Sequence, residues 1–394
     1  MRRLRVLTAG ESHGPELVVI LEGMPAGLPL SEENINQQLI RRQRGFGSGG
    51  RMSIEEDHVS LVSGVLEGKT IGSPIGMRIP NRDHRQWRGK AIPPFTRPRP
   101  GHADLTGALK YGYADLRPAS ERASARETAA RVAAGAVCIQ LLRQFDIQLG
   151  GWVAAIGSVQ APQYHPSPDT FVEHMDRTEG SDVRCPDPET SQAMKNMIRQ
   201  AKADGQTLGG IIEVAALGLP PGLGSYVQWD RRLDARLGSA VLGVQAVKGV
   251  EIGDGFENAA KMGTEAQDPI RIEGDCIIRP TNRSGGLEGG VTNGSPLFVR
   301  AAMKPIATTL TPQPTVDLVE KRERETEYER SDFCPVPRAV PILEAVIALV
   351  LADALLEKLG GDSLSEMMRR YPDLPQAKFS DLSLDNQDHT WWPT

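Results

Sequence analysis

The 394-residue sequence has few cysteines, few aromatic residues and no long hydrophobic run. Its four cysteines include no CxxC pair, which argues against a disulfide framework and against a zinc knuckle. Aromatic residues make up 5% of the chain, too few for the base-stacking surfaces of a general nucleic-acid binder. No apolar stretch reaches the ~18 residues of a membrane span, and the N-terminus lacks the apolar region of a secretory signal. These absences predict a cytoplasmic protein that binds neither nucleic acid nor membrane.

Lysine is scarce in the first third of the chain, where arginine is abundant. Residues 1–131 contain 20 Lys and Arg against 14 Asp and Glu, and 17 of those cations are arginines. Residues 132–394 contain 25 cations against 36 acidic residues, so the net charge of −5 hides a balance of +6 followed by one of −11. Arginine binds carboxylates and phosphates through a planar, forked set of donors. The distribution therefore predicts a site for an anionic ligand, built mainly from the first third.

Hydrophobic periodicity and turn residues predict a mixture of strands and helices. We expect strands over residues 17–21 and 211–216, and helices over residues 31–42, 124–145, 231–247 and 338–359. Ser31, Ser124 and Asp230 are the predicted N-caps of the first three helices, and Glu127 would complete a capping box with Ser124. Residues 371–394 are polar and weakly patterned, so we interpret them as a tail or an oligomer arm.

An internal repeat relates residues of about 10–80 to residues of about 205–303. Three segments match in the same order: GESHG at 10–14 with GQTLG at 205–209, GMPAGL at 23–28 with GLPPGL at 218–223, and SGVLEG at 63–68 with SGGLEG at 284–289. GSP then recurs at 72–74 and 294–296, followed in each copy by an arginine, Arg78 or Arg300. The repeat predicts two related halves packed about a pseudo-two-fold axis, although chance similarity between Gly/Pro-rich turns is the alternative.

A glycine-rich loop at residues 45–50 is flanked by arginines at 41, 42, 44 and 51. Such a loop lets backbone and arginine side chains approach an anion closely. It also spells GxGxxG, but it follows a helix rather than a strand, so it is a weak dinucleotide fingerprint. No GxxxxGK[ST] is present, so a nucleoside triphosphate is not indicated. A solvated arginine-rich face is the alternative interpretation of this segment.

Two further segments present arginines on constrained backbone. Prolines stiffen residues 97–104 (RPRPGHAD), which contain Arg99 and His102, and a stiff segment suits a proton donor. Arg122 and Arg126 flank the predicted start of the 124–145 helix, where unpaired N–H groups attract anions and arginines otherwise oppose the helix dipole. Both segments indicate anion binding, with a simple connector as the alternative for residues 97–104.

Two other polar residues are candidates for chemistry. His13 has the apolar Leu208 as its counterpart in the repeat, which favours an adapted polar role, although a packed histidine in a tight turn is the alternative. Asp332 lies in a proline-constrained loop and is a candidate general base, although most loop aspartates are caps or ion-pair partners. GESHG also spells GxSxG, but Pro15 and a strand-like run follow it, which disfavours a serine hydrolase. No His or Cys pair has metal-ligand spacing, so the sequence indicates an enzyme or binder for a small polyanion without a metal.

Six motifs, in this order, resemble those of the chorismate synthase family. They are GESHG at 10–14, RPRPGHAD at 97–104, ERASARET at 121–128, GLEGG at 286–290, AMKP at 302–305 and RSD at 330–332. The resemblance runs from about residue 5 to residue 370. It implies an α+β fold, a β-α-β sandwich of two pseudo-symmetric halves in one domain over residues 1–370, assembled as a homotetramer.

The resemblance also implies an activity. Family members are carbon–oxygen lyases that convert 5-enolpyruvylshikimate 3-phosphate into chorismate and phosphate, in the shikimate pathway of aromatic amino acid biosynthesis. This 1,4-anti elimination requires reduced FMN although it is redox-neutral overall. The phosphate and two carboxylates of the substrate, with the phosphate of FMN, would account for the arginine-rich third.

The matched motifs carry over functional residues. His13 and His102 would donate protons, one near the leaving phosphate and one near the flavin, and Asp332 would remove the C6 proton together with flavin N5. The residues implied to hold the substrate are Ser12, Arg42, Arg51, Arg99, Ser124, Arg126 and Arg330. The residues implied to contact FMN are Arg122, Ala123, Ser124, Gln245, Ala246, Gly290, Lys304, Pro305, Ile306, Ala307, Thr308 and Arg330. Related enzymes usually have an arginine where this chain has Ser48, so one anion contact would be missing unless Arg44 supplies it.

Two alternatives remain at this stage. Some family members reduce their own FMN with NADPH, whereas others depend on an external flavin reductant. The sequence has no nicotinamide motif in its proper strand–helix context, which favours the external reductant. A non-catalytic polyanion-binding module would use the same arginines, but it would not need His13, His102 and Asp332 together.

Overall fold

A computed structural model describes residues 2–47, 56–329 and 331–392. Within these ranges the strands are β1 (Arg5–Ala9), β2 (Glu16–Glu22), β3 (Ser60–Ser63), β4 (Val65–Leu66), β5 (Lys69–Thr70), β6 (Ile75–Pro80), β7 (Gln148–Ile156), β8 (Val159–Gln160), β9 (Gly210–Leu217), β10 (Val247–Ile252), β11 (Arg271–Glu273), β12 (Cys276–Ile278), β13 (Leu287–Glu288), β14 (Val291–Thr292), β15 (Leu297–Met303), β16 (Pro314–Asp317) and β17 (Arg322–Glu325). The helices are α1 (Glu32–Gln43), α2 (His84–Trp87), α3 (Asp104–Tyr111), α4 (Arg117–Ala123), α5 (Thr128–Arg143), α6 (Pro168–Glu179), α7 (Pro188–Ala203), α8 (Leu233–Leu242), α9 (Gly255–Asn258), α10 (Gly263–Ala266), α11 (Val336–Leu359) and α12 (Leu364–Arg370). Antiparallel strands combined with helices make this an α+β fold, as predicted.

The two larger sheets have the same strand order. The first sheet runs β1-β2-β6-β3, and the second runs β7-β9-β15-β10 with β8 added beside β7. All neighbouring strands in both sheets are antiparallel. Each repeat copy contains a strand, a helix (α1 or α8), a strand, a hairpin of two-residue strands and a further strand in this order, and the second copy adds α9, α10 and the β11–β12 hairpin before its two-residue strands. The fold therefore contains two pseudo-symmetric halves, while the domain limit at residue 370 stays a prediction.

Equivalent threonines form the same hydrogen bonds in the two halves. Thr70 Oγ1 accepts the backbone N–H of Leu28 at 2.9 Å, and Thr292 Oγ1 accepts that of Leu223 at 2.8 Å. Each hydroxyl also donates to the carbonyl oxygen of a preceding proline, at 2.6 and 2.7 Å. Both threonines are buried, so these bonds satisfy backbone groups that water cannot reach. The matched Gly/Pro segments recur because each half needs the same buried turn.

Two long helices lie between the sheets. α5 packs against β1, β2 and β6, whereas α11 packs against β7 and β9. The helices also pack on each other at Gly135, where an added Cβ would lie 2.4 Å from the Cβ of Ala345. Residues of both sheets and both helices belong to one buried apolar cluster. The layers are therefore sheet, helices and sheet, a β-α-β sandwich.

The predicted helix start at Ser31 is confirmed, whereas the one predicted at Ser124 is wrong. Ser31 caps α1 as predicted and forms a capping box with Asn34. Ser124 instead caps a 3₁₀ turn over residues 125–127, where its side chain accepts the N–H of residue 126. α5 begins only at Thr128, and the predicted capping box with Glu127 is absent from it. The turn redirects the chain before the helix, and local sequence pattern does not reveal such a turn.

The helix predicted over 231–247 was too long at both ends. Asp230 lies in a 3₁₀ turn rather than at an N-cap, and the extended backbone of Arg232 delays the start of α8 to Leu233. The helix ends at Leu242 because Val247 pairs with β15 as the first residue of β10. The other predicted elements lie within two residues of β2, β9, α1 and α11.

The most apolar helix and the C-terminal segment both pack against the rest of the chain. α11 is long and apolar enough to cross a membrane, but its apolar stretch is wholly buried inside the protein. Beyond α12, the N–H of Ile277 donates to the carbonyl of Ala377 at 2.8 Å, and that of Phe379 to the carbonyl of Asp275 at 3.2 Å. Residues 377–379 therefore lie beside β12, while residues 382–392 are exposed. The predicted tail is thus partly attached to the β11–β12 hairpin.

Candidate active site

A cavity of about 820 Å³ lies where matching ends of the two halves meet. The first half lines it with the 10–14 loop, α2, the 99–103 segment and the turn before α5. The second half lines it with residues 244–246 and 303–308, with residues 328, 329, 331 and 332, and with the start of α11. Residues at the N-terminal ends of both long helices thus reach the same space, where helix dipoles favour anions.

His13 is held on both sides in the 10–14 loop. Its Nδ1 lies 2.6 Å from Oε1 of Glu121, and its backbone N–H donates to Oε2 of the same carboxylate at 2.7 Å. The Trp87 ring packs against the imidazole with centroids 4.3 Å apart. Burial alone would raise the pKa of Glu121, but the hydrogen bonds from His13 outweigh it and hold that pKa below its usual value. The carboxylate is therefore ionised near neutral pH and can only accept.

His102 has a similar arrangement with a different carboxylate. Its Nδ1 lies 2.6 Å from Oδ1 of Asp104, which is fully buried. Arg99 binds both oxygens of the same carboxylate, through Nε at 2.8 Å and Nη2 at 2.9 Å. Burial alone would raise the pKa of Asp104, but the bonds from Arg99 and His102 hold it well below its usual range. Nη2 of Arg99 also lies 3.1 Å from Nδ1, but the shorter contact to the acceptor-only carboxylate of Asp104 favours the hydrogen of neutral His102 on Nδ1, which leaves Nε2 to exchange a proton.

Two buried arginines share one buried carboxylate. Nη1 of Arg126 donates to Oδ1 of Asp57 at 2.5 Å, and Nη1 of Arg42 donates to Oδ2 at 3.3 Å. Nε of Arg126 also donates to Asn81 at 2.8 Å. Burial, assisted by the positive charges of Arg126 and Arg338, lowers the pKa of Arg42 to about 9 despite the opposing effect of Asp57. Two guanidinium groups thus face one shared carboxylate at the cavity wall, a charge balance that suits an anionic ligand.

Asp332 lines the same cavity and is bound by an arginine. Nη1 of Arg338 donates to Oδ2 of Asp332, while Nε of Arg338 donates to the carbonyl oxygen of Arg42 at 3.1 Å. Arg338 is in the first turn of α11, so this helix fixes both contacts. The candidate base is therefore held beside the arginine cluster.

The predicted FMN-contact residues 245–246 and 304–308 come together at one strand end. The N–H of Lys304, directly after β15, donates to the carbonyl of Ala246, directly before β10, at 2.9 Å. Ala246 has a positive φ of 67°, and this turn leads into β10 beside β15. The ammonium of Lys304 donates to the carbonyl of Gly101 at 2.7 Å, which links the two halves across the cavity. Gln245 and residues 305–308 line the same wall.

Most predicted site residues meet at this cavity, and some do not. The lining contains Ser12, His13, Arg42, Arg99, His102, Ala123, Ser124, Arg126, Gln245, Ala246, Lys304, Pro305, Ile306, Ala307, Thr308 and Asp332. Arg122 is outside the lining and donates to the carbonyl oxygens of Thr8 and Gly10. Gly290 is also outside it, at the start of α8, where its carbonyl accepts the N–H of Leu233 at 2.9 Å. Arg51, Arg330 and Ser48 lie outside the described residues, and Arg44 is exposed and does not line the cavity.

Sequence reasoning missed several residues that orient the site. Asp57, Trp87, Glu121 and Arg338 all line it or bind residues that do, yet none was proposed as a site residue. Glu121 lies within a recognised motif, but nothing in its spacing indicates a partner 108 residues away. Asp104 carried a usable signal, because it follows His102 by two residues on a stiff segment. In the part of the chain that the structure describes, no group of three or more His, Cys, Asp or Glu is arranged to hold a metal ion.

Buried arginines and carboxylate-oriented histidines around one cavity define an enzyme class that binds a small polyanion and moves protons. A sequence model of chorismate synthase matches residues 4–356. The chain therefore belongs to the chorismate synthase family, and the resemblance inferred from the motifs is confirmed.

Individual relatives agree over nearly the full length. The chorismate synthase of Aquifex aeolicus (strain VF5) is 51% identical over 388 residues, covering 95% of this chain and 98% of its own. That of Syntrophotalea carbinolica is 52% identical over 377 residues, covering 93% and 96%. A solved structure titled "Crystal Structure of Chorismate Synthase" superimposes with a TM-score of 0.79 at 44% identity, covering 95% of this chain and 97% of that one. This confirms the predicted fold class.

Proposed function

We propose that this protein converts 5-enolpyruvylshikimate 3-phosphate into chorismate and phosphate, with reduced FMN bound in the same cavity. The observation that carries the proposal is the joining, in one cavity, of a buried arginine cluster, two histidines oriented through Nδ1 and the carboxylate of Asp332. A polyanion-binding module would use the arginines, but it would have no need to orient two proton-transfer groups.

The proposed reaction balances without an external oxidant or reductant. The C3–O bond breaks and its electron pair leaves with phosphate, while the C6–H bond breaks and its proton passes to a base. The electron pair of the C6–H bond forms a C1=C6 double bond, and the pair of the existing C1=C2 double bond moves to C2=C3 as phosphate leaves, so substrate and product are at the same oxidation level. The arginines would neutralise phosphate and carboxylates in a site prepared before binding, where electrostatic stabilisation is strongest.

The cavity wall offers a hydrogen-bond acceptor that suits an N–H group of a flavin. Oε1 of Gln245 is buried and has no hydrogen-bond partner among residues 2–47, 56–329 and 331–392. Nε2 of Gln245 lies 3.4 Å from Oε2 of Glu127, which orients the amide because a carboxylate only accepts. The oxygen is then available to an N–H of a ligand, and the cavity volume lies within the usual range for cofactor sites. Bound reduced FMN would supply electron density as phosphate leaves and recover it as the C6 proton is lost.

The chain's own residues would perform binding and proton transfer. Arg42, Arg99 and Arg126 would hold the anionic groups, with Ser12 and Ser124, whose hydroxyls lie 3.1 Å apart, as hydrogen-bond partners. His13 and His102 would transfer protons at Nε2, since Nδ1 of each contacts a carboxylate. Asp332 would accept the C6 proton. The same proposal includes Arg51 and Arg330 among substrate contacts, and Arg122, Ala123, Gly290 and residues 304–308 among FMN contacts.

Assembly, reductant and location belong to this proposal as well. We propose a cytoplasmic homotetramer supplied with reduced flavin by an external reductant. If the protein reduced its own FMN, NADPH would replace that reductant. The lack of a nicotinamide motif in a strand–helix context supports the external reductant.

The deciding experiment is anaerobic turnover with chemically reduced FMN and 5-enolpyruvylshikimate 3-phosphate, followed by the absorbance of chorismate. Product formation is expected, and a complete lack of product would refute the proposed reaction. A parallel assay with oxidised FMN and NADPH alone should give no product. Product there would show that no external reductant is needed. His165→Ala, which changes an exposed histidine away from the cavity, is a matched control for site variants.

A further inference from the structure

Glu121 anchors His13 with both oxygens of one carboxylate. Oε1 contacts Nδ1 at 2.6 Å, and Oε2 accepts the backbone N–H of His13 at 2.7 Å. The two side chains are largely buried, with 23% and 14% of their surfaces exposed. One carboxylate therefore fixes both the imidazole ring and the loop that carries it.

Other groups around His13 bind it differently. Oδ2 of Asp83 is 3.7 Å from Nε2, beyond hydrogen-bond range, and Nδ1 of His84 contacts the carbonyl oxygen of His13 at 2.9 Å. Trp87 covers one face of the ring, and the guanidinium of Arg117 lies over the Trp87 ring at 5.7 Å. Among these groups, the short contact to Glu121 decides which ring nitrogen carries the hydrogen.

His102 provides an internal comparison. Its carboxylate partner, Asp104, also binds Arg99 through both oxygens. The guanidinium of Arg99 therefore holds the Asp104 carboxylate in place beside His102. The hydrogen bonds of the Glu121 carboxylate go instead to the ring and the backbone of one histidine. The orientation of His13 therefore depends on Glu121 more directly than that of His102 depends on any single residue.

We propose that Glu121 is a positioning residue that places the hydrogen of His13 on Nδ1 and holds the imidazole at the cavity wall. The effect of Glu121 on catalysis rests on the proposed function, whereas its effect on the His13 tautomer does not. A carboxylate offers two acceptors to two donors, the backbone N–H and Nδ1–H. An amide in its place offers one acceptor and one donor. The backbone N–H keeps its hydrogen, whereas the imidazole can carry its hydrogen on either Nδ1 or Nε2.

Glu121→Gln therefore has a specific expected effect. The amide oxygen would keep the backbone N–H, and the amide N–H₂ would face Nδ1, so the ring hydrogen would transfer to Nε2. The protein labelled with ¹⁵N-histidine should show His13 as the Nδ1–H tautomer in the wild type and mainly as the Nε2–H tautomer in the variant. His165 provides the reference signal in the same spectra.

Kinetics supply a second readout. A wrong tautomer of a catalytic histidine lowers turnover by up to about 10⁴-fold in a well-studied triad, and we expect a loss in kcat of at least about 100-fold in Glu121→Gln. KM should change less than about threefold, since the arginine cluster is untouched. Glu16→Gln, which changes a partly exposed carboxylate paired with Arg78, should keep wild-type kcat and tautomer.

Glu121→Asp is the conservative variant, and it keeps the proposal testable if the glutamine variant does not fold. It keeps two acceptors and should retain the Nδ1–H tautomer with kcat within about tenfold of wild type. Overturning results are an unchanged His13 tautomer in folded Glu121→Gln, or an Nε2–H tautomer in Glu121→Asp. If the wild type makes no chorismate, the proposed reaction fails while the tautomer measurement still decides the role of Glu121.

Discussion

The guanidinium of Arg338 binds the carboxylate of Asp332, the residue proposed to accept the C6 proton. The same arginine also binds the backbone of Arg42, so one side chain joins the candidate base to the arginine cluster. Its position in the first turn of α11, whose apolar stretch is wholly buried, makes this link part of the scaffold.

Replacing Arg338 should therefore change the position of the Asp332 carboxylate without removing that carboxylate. We expect Arg338→Met to lower kcat in the anaerobic chorismate assay by about 10- to 100-fold, because positioning of a proton acceptor contributes on that order. Arg338→Lys should recover part of the loss, since lysine keeps the charge but not the forked geometry. Arg143→Met, at the exposed end of α5, is the matched control. Wild-type kcat in Arg338→Met would show that this ion pair is irrelevant to turnover.

Asp57 is expected to be important for stability because two buried arginines share it. Asp57→Asn removes the negative charge between Arg42 and Arg126, and breaking a buried pair typically costs about 3–5 kcal/mol of unfolding free energy. Urea unfolding should show this loss, and added inorganic phosphate should restore more stability to the variant than to the wild type. Glu16→Gln, in a partly exposed pair, should lose at most about 1 kcal/mol. An unchanged unfolding free energy in Asp57→Asn would contradict the charge balance described for this cluster.

His102 should be required for chemistry rather than for cofactor binding. We expect His102→Ala to lower turnover by about 10²- to 10⁴-fold, the usual contribution of a general acid or base. Titration of FMN fluorescence should show binding close to wild type, because the proposed flavin wall is formed largely by Gln245 and residues 304–308. His165→Ala should leave both measurements unchanged. Turnover at the wild-type rate would remove His102 from the mechanism.

The pH dependence of stability should reveal the Asp104 pair. The pKa of Asp104 is held below its usual value in the folded state, so its ionised form stabilises the protein above the unfolded-state pKa of about 4. That contribution is lost as pH falls through the lower folded-state value. The difference in unfolding free energy between wild type and Asp104→Asn should thus be largest near pH 6 and shrink progressively below about pH 4. A difference that grows on acidification would contradict this sign.

Local sequence signals predicted the parts of the site that are local. Ser31 caps α1 as expected, and Arg99 and His102 both bind Asp104 within the 97–104 segment. The contacts between Glu121 and His13, and between Arg338 and Asp332, depend on how α4, α11 and their loops pack, and residue spacing carries no record of that packing. The 3₁₀ turn at Ser124 was missed because a capping pattern does not distinguish one turn from a continuous helix.

The repeat explained more of the fold than it did of the chemistry. Matching glycines, prolines and threonines reproduce the same turns in both halves. The cavity between them is asymmetric, with arginines and histidines mainly on one side and the 304–308 segment on the other. Only the family resemblance could assign residues 304–308 to a cofactor, and that role remains a prediction.

The close packing of Gly135 on Ala345 has a consequence for ligand selectivity. Thr128 and Arg338, which line the cavity, each lie seven residues before this crossing, or roughly 10 Å along their helices. Since only the methyl group of Ala345 separates the helices at Gly135, their N-terminal ends stand close together at the cavity. We therefore expect the size of anion that fits between these ends to depend partly on a methyl group that is missing at a distance from the ligand, where no inspection of the binding residues would find it.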